Sequence, residues 1–421
     1  MNKKVSFSLI IMVTFFITGN LIGAGILGLP IKTGMAGLLP SLIGTFIISC
    51  AMLLTAFILG KEAVSTYKEV FHYPSMYQQH FGSFGKWIAT IANLIILYGS
   101  LTVYLTGATA IIMRLSAVHI PRELIILLFF LAVTAIAVVN PKSLLRCNAL
   151  FVVLLLVSFI VIVLMGEKYV VPQRFTRIDW VMLPAALPII VMAANFHNII
   201  PTICKQLDWN LKGIFIAIFA GTVIGFIMNS LWIQVGIGVL PLSGENGIVN
   251  ALNNNLPATV PLAQVIKVPL FIPALFLFAL LAIITSYISF GNTTMDFIDD
   301  LTVNYIKTRN RALTIALSFL PPLVITIVYP NIFLSVLDFV GGIGVVILFG
   351  VLPCIIGLKQ KGPLLFRRLL FIIPVFLLFI AILLFKVQQE LGLSRINPEV
   401  EYWTNFRFFS YHTFRLPIQS D

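Results

Sequence analysis

Residues 19–30 read Gly-Asn-Leu-Ile-Gly-Ala-Gly-Ile-Leu-Gly-Leu-Pro, and they interrupt an apolar segment long enough to cross a membrane. Glycine lowers helix stability by about 1 kcal/mol relative to alanine, and an interior proline by about 3 kcal/mol. In lipid, the backbone groups freed by such a break need polar partners. The run therefore predicts an opened helix that binds a polar ligand. The amino terminus of the second half-helix favours a carboxylate. The alternative is that the glycines only permit close helix packing.

The composition around this run is that of a membrane protein. The 421 residues are 59% hydrophobic and 10% charged, with a mean hydropathy of +1.05. No soluble domain of this size could bury that much apolar surface. We therefore predict an all-α polytopic membrane protein with eleven transmembrane helices. The apolar runs fall at about 7–31, 37–60, 86–113, 122–140, 147–166, 181–204, 211–235, 265–290, 312–329, 333–357 and 366–386.

The basic residues predict an orientation. With the amino terminus inside, 16 Lys and Arg residues fall on the inner side, including the cluster from Lys359 to Arg368. Seven fall in the opposite loops, Lys32 among them, and the tail from Lys386 adds four. By the positive-inside rule we expect the amino terminus to be cytoplasmic and the carboxyl terminus periplasmic. We interpret the first apolar run as a retained span rather than a cleaved signal peptide.

A second interruption lies five spans after the first. The sixth run contains Pro184 and Pro188, followed by Ala-Asn-Phe-His-Asn-Ile-Ile-Pro-Thr at 194–202. Broken helices at corresponding positions of two five-span halves indicate an inverted repeat of the 5+5 type with a central solute site. The predicted units are 1–170 for helices 1–5, 171–360 for helices 6–10, and 361–421 for helix 11 with an aromatic-rich polar tail.

Both interruptions supply candidate binding groups for a substrate. The backbone N–H groups of Gly23, Ala24 and Gly25 can receive a carboxylate, because small side chains allow close approach. Asn20 can offer its side-chain carbonyl to an ammonium or a coupling ion, or can make an interhelical hydrogen bond. Carbonyl groups near Asn195 and Phe196 can receive an ammonium, and the Phe196 ring can pack on a flat side chain.

Further polar groups lie within the other spans. His197 is a candidate proton carrier, and a structural hydrogen-bonded histidine is the alternative. Thr285 and Ser286 can bind a small cation or can bond back to their own helix. Asp338 lies within the tenth span, where an acid is costly unless it is paired, protonated or hydrated. Pocket-lining roles are predicted for Tyr98, with Tyr104 on the same span, and for Asn292.

These residues resemble a known family. The run at 19–30 and the sixth-span Phe-His-Asn-Ile-Ile-Pro at 196–201 are similar to motifs of the hydroxy and aromatic amino acid permeases, which include the bacterial tryptophan and tyrosine permeases of the amino acid–polyamine–organocation superfamily. Thr285-Ser286 followed by Asp296-Phe297 resembles that family's eighth span more loosely. The resemblance implies a repeat of the leucine-transporter type, a bacterial inner-membrane location, and proton-coupled uptake of tyrosine, tryptophan or phenylalanine.

We therefore expect a secondary transporter, an amino acid:proton symporter working by alternating access. It would act as a monomer in the lipid bilayer, with an amino acid as its only ligand besides the ion and with no cofactor, metal or nucleic acid. Sodium-coupled uptake of a neutral amino acid such as glutamine, bound through Thr285 and Ser286, is the alternative on the same fold. An enzyme is not expected, because acids, histidines and cysteines do not cluster. A passive channel would use rings of like residues instead.

Overall fold

The computed structural model describes residues 6–66, 72–115, 120–139, 141–307, 309–360 and 365–393. Over these ranges the chain is helical and contains no β-strand. The α-helices in chain order are α1 (Phe7–Leu21), α2 (Ala24–Thr33), α3 (Leu38–Thr66), α4 (Tyr73–Leu115), α5 (Arg122–Val139), α6 (Pro141–Gly166), α7 (Leu183–Ala193), α8 (Ile200–Gln206), α9 (Leu211–Val239), α10 (Ile248–Asn253), α11 (Thr259–Val265), α12 (Phe271–Leu301), α13 (Arg311–Val328), α14 (Phe333–Phe339), α15 (Leu352–Lys359) and α16 (Leu365–Glu390).

The helical segments confirm a polytopic membrane protein. Within the described ranges, eight segments are long and apolar enough to cross a bilayer, and the bent pair α1 and α2 raises the number to nine. Helices α5 and α6 occupy the fourth and fifth predicted spans, with 18 and 26 residues. The total of eleven spans and the 5+5 repeat remain predictions, and the tail after Leu393 lies outside the described residues.

Several helices extend beyond the apolar runs that predict them. Helix α4 begins at Tyr73 rather than near Lys86, and it changes direction at Gly82, whose φ of 64° is accessible mainly to glycine. Helix α12 continues to Leu301, past the polar stretch at 292–294. In both cases the added turns contain polar residues. The hydropathy pattern therefore begins α4 too late and ends α12 too early.

The tenth span combines three kinds of helix. It starts as α14, continues as a π-helical stretch over Val340–Val351, and ends as α15. Gly341 and Gly342 face Pro188 of α7, where any side chain would collide with the neighbouring helix. Wide helical turns of this kind are rare and occur at functional sites in many proteins.

The interrupted first span lies inside the bundle against α9. Gly221 and Gly225 of α9 face Ile17 and Leu21, and a Cβ at either glycine would lie 2.6 or 2.5 Å from those side chains. Gly236 of the same helix meets Pro30. Small residues thus let α9 approach both halves of the broken span, as expected for packing in membranes.

A connection between α9 and α12 packs against α2. The backbone N–H of Ala258 donates to the carbonyl of Leu27 at 2.8 Å. The Asn255 side-chain oxygen accepts from the N–H of Ser335 at the start of α14, at 3.0 Å. This connection therefore links the second half of the first span to the tenth span on the face where α2 ends.

Candidate functional site

The first interruption opens the helix between Leu21 and Ala24. Ile22 and Gly23 leave the helical conformation, and α1 and α2 meet at an angle of 52°. Helix geometry leaves the first N–H groups of α2, those of Ala24 and Gly25, without acceptors inside that helix. The predicted donors therefore lie at a helix amino terminus within the bundle, where a carboxylate is stabilised.

Gly23 faces hydroxyl groups of two neighbouring helices. A Cβ at Gly23 would lie 3.1 Å from the Ser286 Oγ and 3.8 Å from the Tyr104 hydroxyl oxygen. Both side chains are buried, and both hydroxyl groups face the position of Gly23. Tyr104 of α4 and Ser286 of α12 therefore line the opening of the first span.

The second interruption lies directly against the first. Helix α7 ends at Ala193, and a short non-helical stretch and a 3₁₀ turn over His197–Ile199 lead into α8. A Cβ at Gly25 would lie 2.9 Å from the Cα of Ala193, so the backbones touch. The amino-terminal end of α2 and the carboxyl-terminal end of α7 thus place N–H donors beside C=O acceptors.

Side chains hold the unwound backbone of the sixth span in place. The Asn195 side-chain oxygen accepts from the N–H of His197 at 3.2 Å. The Asn229 amide of α9 donates to the Ala193 carbonyl at 3.4 Å, and its Oδ1 is buried without a partner among the described residues. Phe196 is fully buried, with its ring centroid 5.0 Å from that of His197. Sequence analysis missed Asn229, because a lone asparagine in an apolar span carries no motif.

His197 is anchored to the second span. Its Nε2 lies 3.1 Å from the Met52 carbonyl oxygen and 3.0 Å from the Thr55 hydroxyl. A carbonyl only accepts, so Nε2 carries a hydrogen, and Nδ1 is buried without a partner in the described part of the chain. The ring stacks on Phe349 at 5.2 Å, and the Tyr73 hydroxyl donates to the His197 carbonyl. These contacts fix the position of the unwound stretch.

Asn20, Thr285 and Ser286 lie close together in the structure. They line a cavity of about 50 Å³ between α1, α6 and α12, together with Ser289. The Thr285 hydroxyl donates to the Leu281 carbonyl at 2.7 Å, so its oxygen keeps an acceptor position. The cavity is large enough for a small cation or a water molecule.

Two predicted pocket residues lie apart from the interruptions. The Tyr98 hydroxyl donates to the Leu317 carbonyl of α13 at 2.8 Å. Asn292 is six residues beyond Ser286 on α12, or about 9 Å along the helix. Among the aromatic side chains of α4, it is Tyr104 that faces Gly23.

Asp338 belongs to a buried group of four charged residues. Its carboxylate oxygens lie 3.2 Å from Lys32 Nζ and 2.7 Å from Lys386 Nζ. Lys386 also contacts Glu390, at 2.8 Å. Sequence analysis counts Lys32 with the loops and Lys386 with the tail, and both assignments are wrong because the two side chains are buried inside the bundle. We call these four residues the charge cluster. It connects α2, α14 and α16.

Two touching helix interruptions inside a multi-pass helical protein define a membrane transporter of the broken-helix class. The chain belongs to the tryptophan/tyrosine permease family, whose model matches residues 7–391. It is therefore a transporter and not an enzyme.

Relatives from two organisms illustrate the similarity. The chain is 28% identical over 339 residues to the tyrosine-specific transport system 1 of Haemophilus influenzae, covering 78% of this chain and 82% of the relative. It is 24% identical over 371 residues to the tryptophan-specific transport protein of the same organism, with 82% and 87% coverage. A low affinity tryptophan permease of Proteus vulgaris is 22% identical over 380 residues, with 86% and 89% coverage.

Proposed function

We propose that this protein carries aromatic amino acids, namely tyrosine, tryptophan or phenylalanine, into the bacterial cell in symport with protons. The functions of the relatives, tyrosine-specific and tryptophan-specific transport, support the substrate class. They do not favour the alternative of a glutamine-type substrate. The protein would work by alternating access in the inner membrane, as a monomer with eleven spans and a 5+5 repeat.

One observation carries the substrate position: Gly25 touches Ala193. The substrate carboxylate would bind the N–H groups of Gly23, Ala24 and Gly25 at the start of α2. Its ammonium would bind carbonyl groups between Ala193 and Phe196, with Asn20 and Asn195 beside them. Donors and acceptors at one point fit a zwitterion, because each pole meets the end of a helix dipole of opposite sign.

The side-chain pocket would lie next to these groups. Phe196 would pack against the substrate ring, and Tyr104 and Ser286 would supply hydroxyl groups at its edge. Tyr98, His197 and Asn292 remain proposed contributors, in the longer pocket that an aromatic side chain requires.

The coupling ion is proposed to be a proton, with His197 and Asp338 as its candidate carriers. Asp338 touches two ammonium groups, so a proton arriving there would weaken the contacts between α2, α14 and α16. Sodium is the alternative ion, and the cavity at Asn20, Thr285 and Ser286 supports it through its hydroxyl and carbonyl oxygens.

Uptake by purified protein in proteoliposomes tests this proposal. Radiolabelled tyrosine should accumulate under an inward proton gradient without sodium, and a protonophore should abolish the accumulation. Unlabelled tryptophan or phenylalanine should compete. Accumulation that requires sodium would transfer the ion role to Thr285 and Ser286, and no aromatic uptake under either gradient would overturn the substrate assignment.

A further inference from the structure

Two adjoining cavities open on the face where α2 and α4 end. Their volumes are about 250 and 310 Å³. Both are lined by Arg114, Arg122, Leu256 and Asn331, and we call the combined space the arginine vestibule. Together they fall in the size range of small-molecule sites, about 300–1,000 Å³.

The two arginines are available for an anion. No carboxylate of the described residues lies within 4.0 Å of the guanidinium nitrogens of Arg114 or Arg122. Arg122 donates through Nε to the Met113 sulfur at 3.4 Å, which leaves the terminal nitrogens of its guanidinium for another acceptor. Guanidinium groups bind carboxylates through paired hydrogen bonds, so two of them in one cavity favour such a ligand.

The rest of the lining fits the other parts of an aromatic amino acid. Glu245 contributes one carboxylate to the wall of the smaller cavity, where it can meet an ammonium. Leu256 lies in the wall of both cavities, and Met113 in that of the larger one. These two side chains supply apolar surface for a ring. The vestibule thus combines cationic, anionic and apolar groups.

The vestibule lies in line with the opening of the first span. Arg114 is ten residues beyond Tyr104 on α4, which is nearly three helical turns and about 15 Å. Gly107 lies between them and packs against Phe333, since a Cβ there would be 2.8 Å from the phenylalanine ring. Phe333 is buried, and it packs on α4 at a level between Tyr104 and Arg114.

From this arrangement we propose that the arginine vestibule is a second amino acid site, which binds the zwitterionic substrate before Phe333 moves aside. The inference rests on the proposed function and adds an entry site to it. Arg114 and Arg122 hold the carboxylate, and Glu245 holds the ammonium. The site acts on entry from this face and has no part in substrate release to the other.

The test is tyrosine uptake by cells expressing the full-length chain with both arginines replaced, Arg114→Gln and Arg122→Gln. Loss of two charge-assisted hydrogen bonds should raise the KM for external tyrosine by about tenfold. The maximal rate, normalised to protein in the membrane, should stay within about twofold of the wild type, because each substitution removes no contact of the central site.

Three controls separate this role from a structural one. Lys267→Gln removes an exposed positive charge outside the vestibule and should leave the KM unchanged. The double lysine variant, Arg114→Lys with Arg122→Lys, should recover part of the affinity. The glutamine variant should keep the thermal unfolding temperature of the wild type in detergent.

The outcomes distinguish the two proposals. An unchanged KM in the glutamine variant, or an equal change of KM in Lys267→Gln, overturns the vestibule site. The proposed function still stands in that case, provided that the wild type takes up tyrosine. A glutamine variant with a clearly lower unfolding temperature also overturns the vestibule site, because the arginines then support the fold. No aromatic uptake by the wild type overturns the proposed function, and the vestibule site with it.

Discussion

Gly25 marks the point where the two interrupted spans meet, and it has no room for a side chain. We expect Gly25→Ala to reduce tyrosine uptake roughly tenfold or more, because separating the two backbones by a fraction of an ångström misplaces both poles of the substrate. Initial uptake rates, normalised to membrane-inserted protein, measure the effect. The contact distance behind this expectation is 2.9 Å, from the added Cβ to the Cα of Ala193.

Gly60 on α3 supplies the matched control. A Cβ there would lie 3.4 Å from Ile214, which is ordinary van der Waals contact. Gly60→Ala should therefore transport like the wild type. If the two alanine variants behave alike, the close approach of Gly25 to Ala193 has no role in transport.

The two tyrosines of α4 differ in what they face. Tyr104→Phe removes a hydroxyl that faces Gly23 beside Ser286. It should raise the KM for tyrosine about fivefold, the value of one hydrogen bond near 1 kcal/mol. Tyr98→Phe removes a bond to Leu317 of α13 and should have the smaller effect on KM. Saturation curves for both variants decide between them, and a larger KM change in Tyr98→Phe would restore the sequence-based prediction.

The sequence identifies the helix breaks better than the side chains that face them. Glycines and a proline inside an apolar run predict a helix break wherever that helix lies in the bundle. Tyr98 and Tyr104 are six residues apart, so they point in directions about 120° apart. The part of α4 around these tyrosines has apolar residues on all sides, and nothing in its pattern says which tyrosine faces Gly23.

Among the helices, the charge cluster connects elements that lie far apart in sequence. Asp338→Asn would leave Lys32 and Lys386 with one fewer buried negative partner, and removing one member of such a group costs about 3–5 kcal/mol. We expect a clearly lower thermal unfolding temperature in detergent. The variant should also lose transport, because α2 would no longer be held against α14.

A compensating variant separates charge balance from side-chain loss. Asp338→Asn combined with Lys32→Met removes one charge of each sign and leaves Lys386 paired with Glu390, at 2.8 Å. Its unfolding temperature should lie above that of Asp338→Asn alone. If the double variant is the less stable one, the contacts of Lys32 do not depend on Asp338.

Helix ends explain why the sequence misplaces this cluster. Lys32 and Lys386 each occur next to the end of an apolar run, where a charged residue ordinarily reaches the membrane surface. The bundle buries both, because Asp338 of α14 meets the two lysines from a neighbouring helix and Glu390 meets Lys386 one turn further along α16. The sequence does not predict the π-helical stretch at Val340–Val351 either, because its apolar residues fit an ordinary α-helix as well.

For the whole molecule, hydropathy predicts the class of protein, and the contacts between spans come from the structure. The first and sixth spans meet where Gly25 touches Ala193, and the central substrate site there stays a prediction. The arginine vestibule has no counterpart in the sequence analysis, because its walls come from α4, α5 and the connection between α9 and α12. Only the folded chain brings such separate segments together.

Orientation in the membrane is the last property of the whole molecule that can be tested directly. Ser243 and Lys205 are both exposed, the first after the end of α9 and the second near the end of α8, so they lie on opposite faces. In a variant with its four cysteines replaced, Ser243→Cys should react with a membrane-impermeant maleimide added to intact cells. Lys205→Cys should react only after the membrane is permeabilised, because the positive-inside rule places the amino terminus, and with it this face, in the cytoplasm. The reverse pattern would place the arginine vestibule on the cytoplasmic side, where it would meet substrate leaving the transporter rather than entering it.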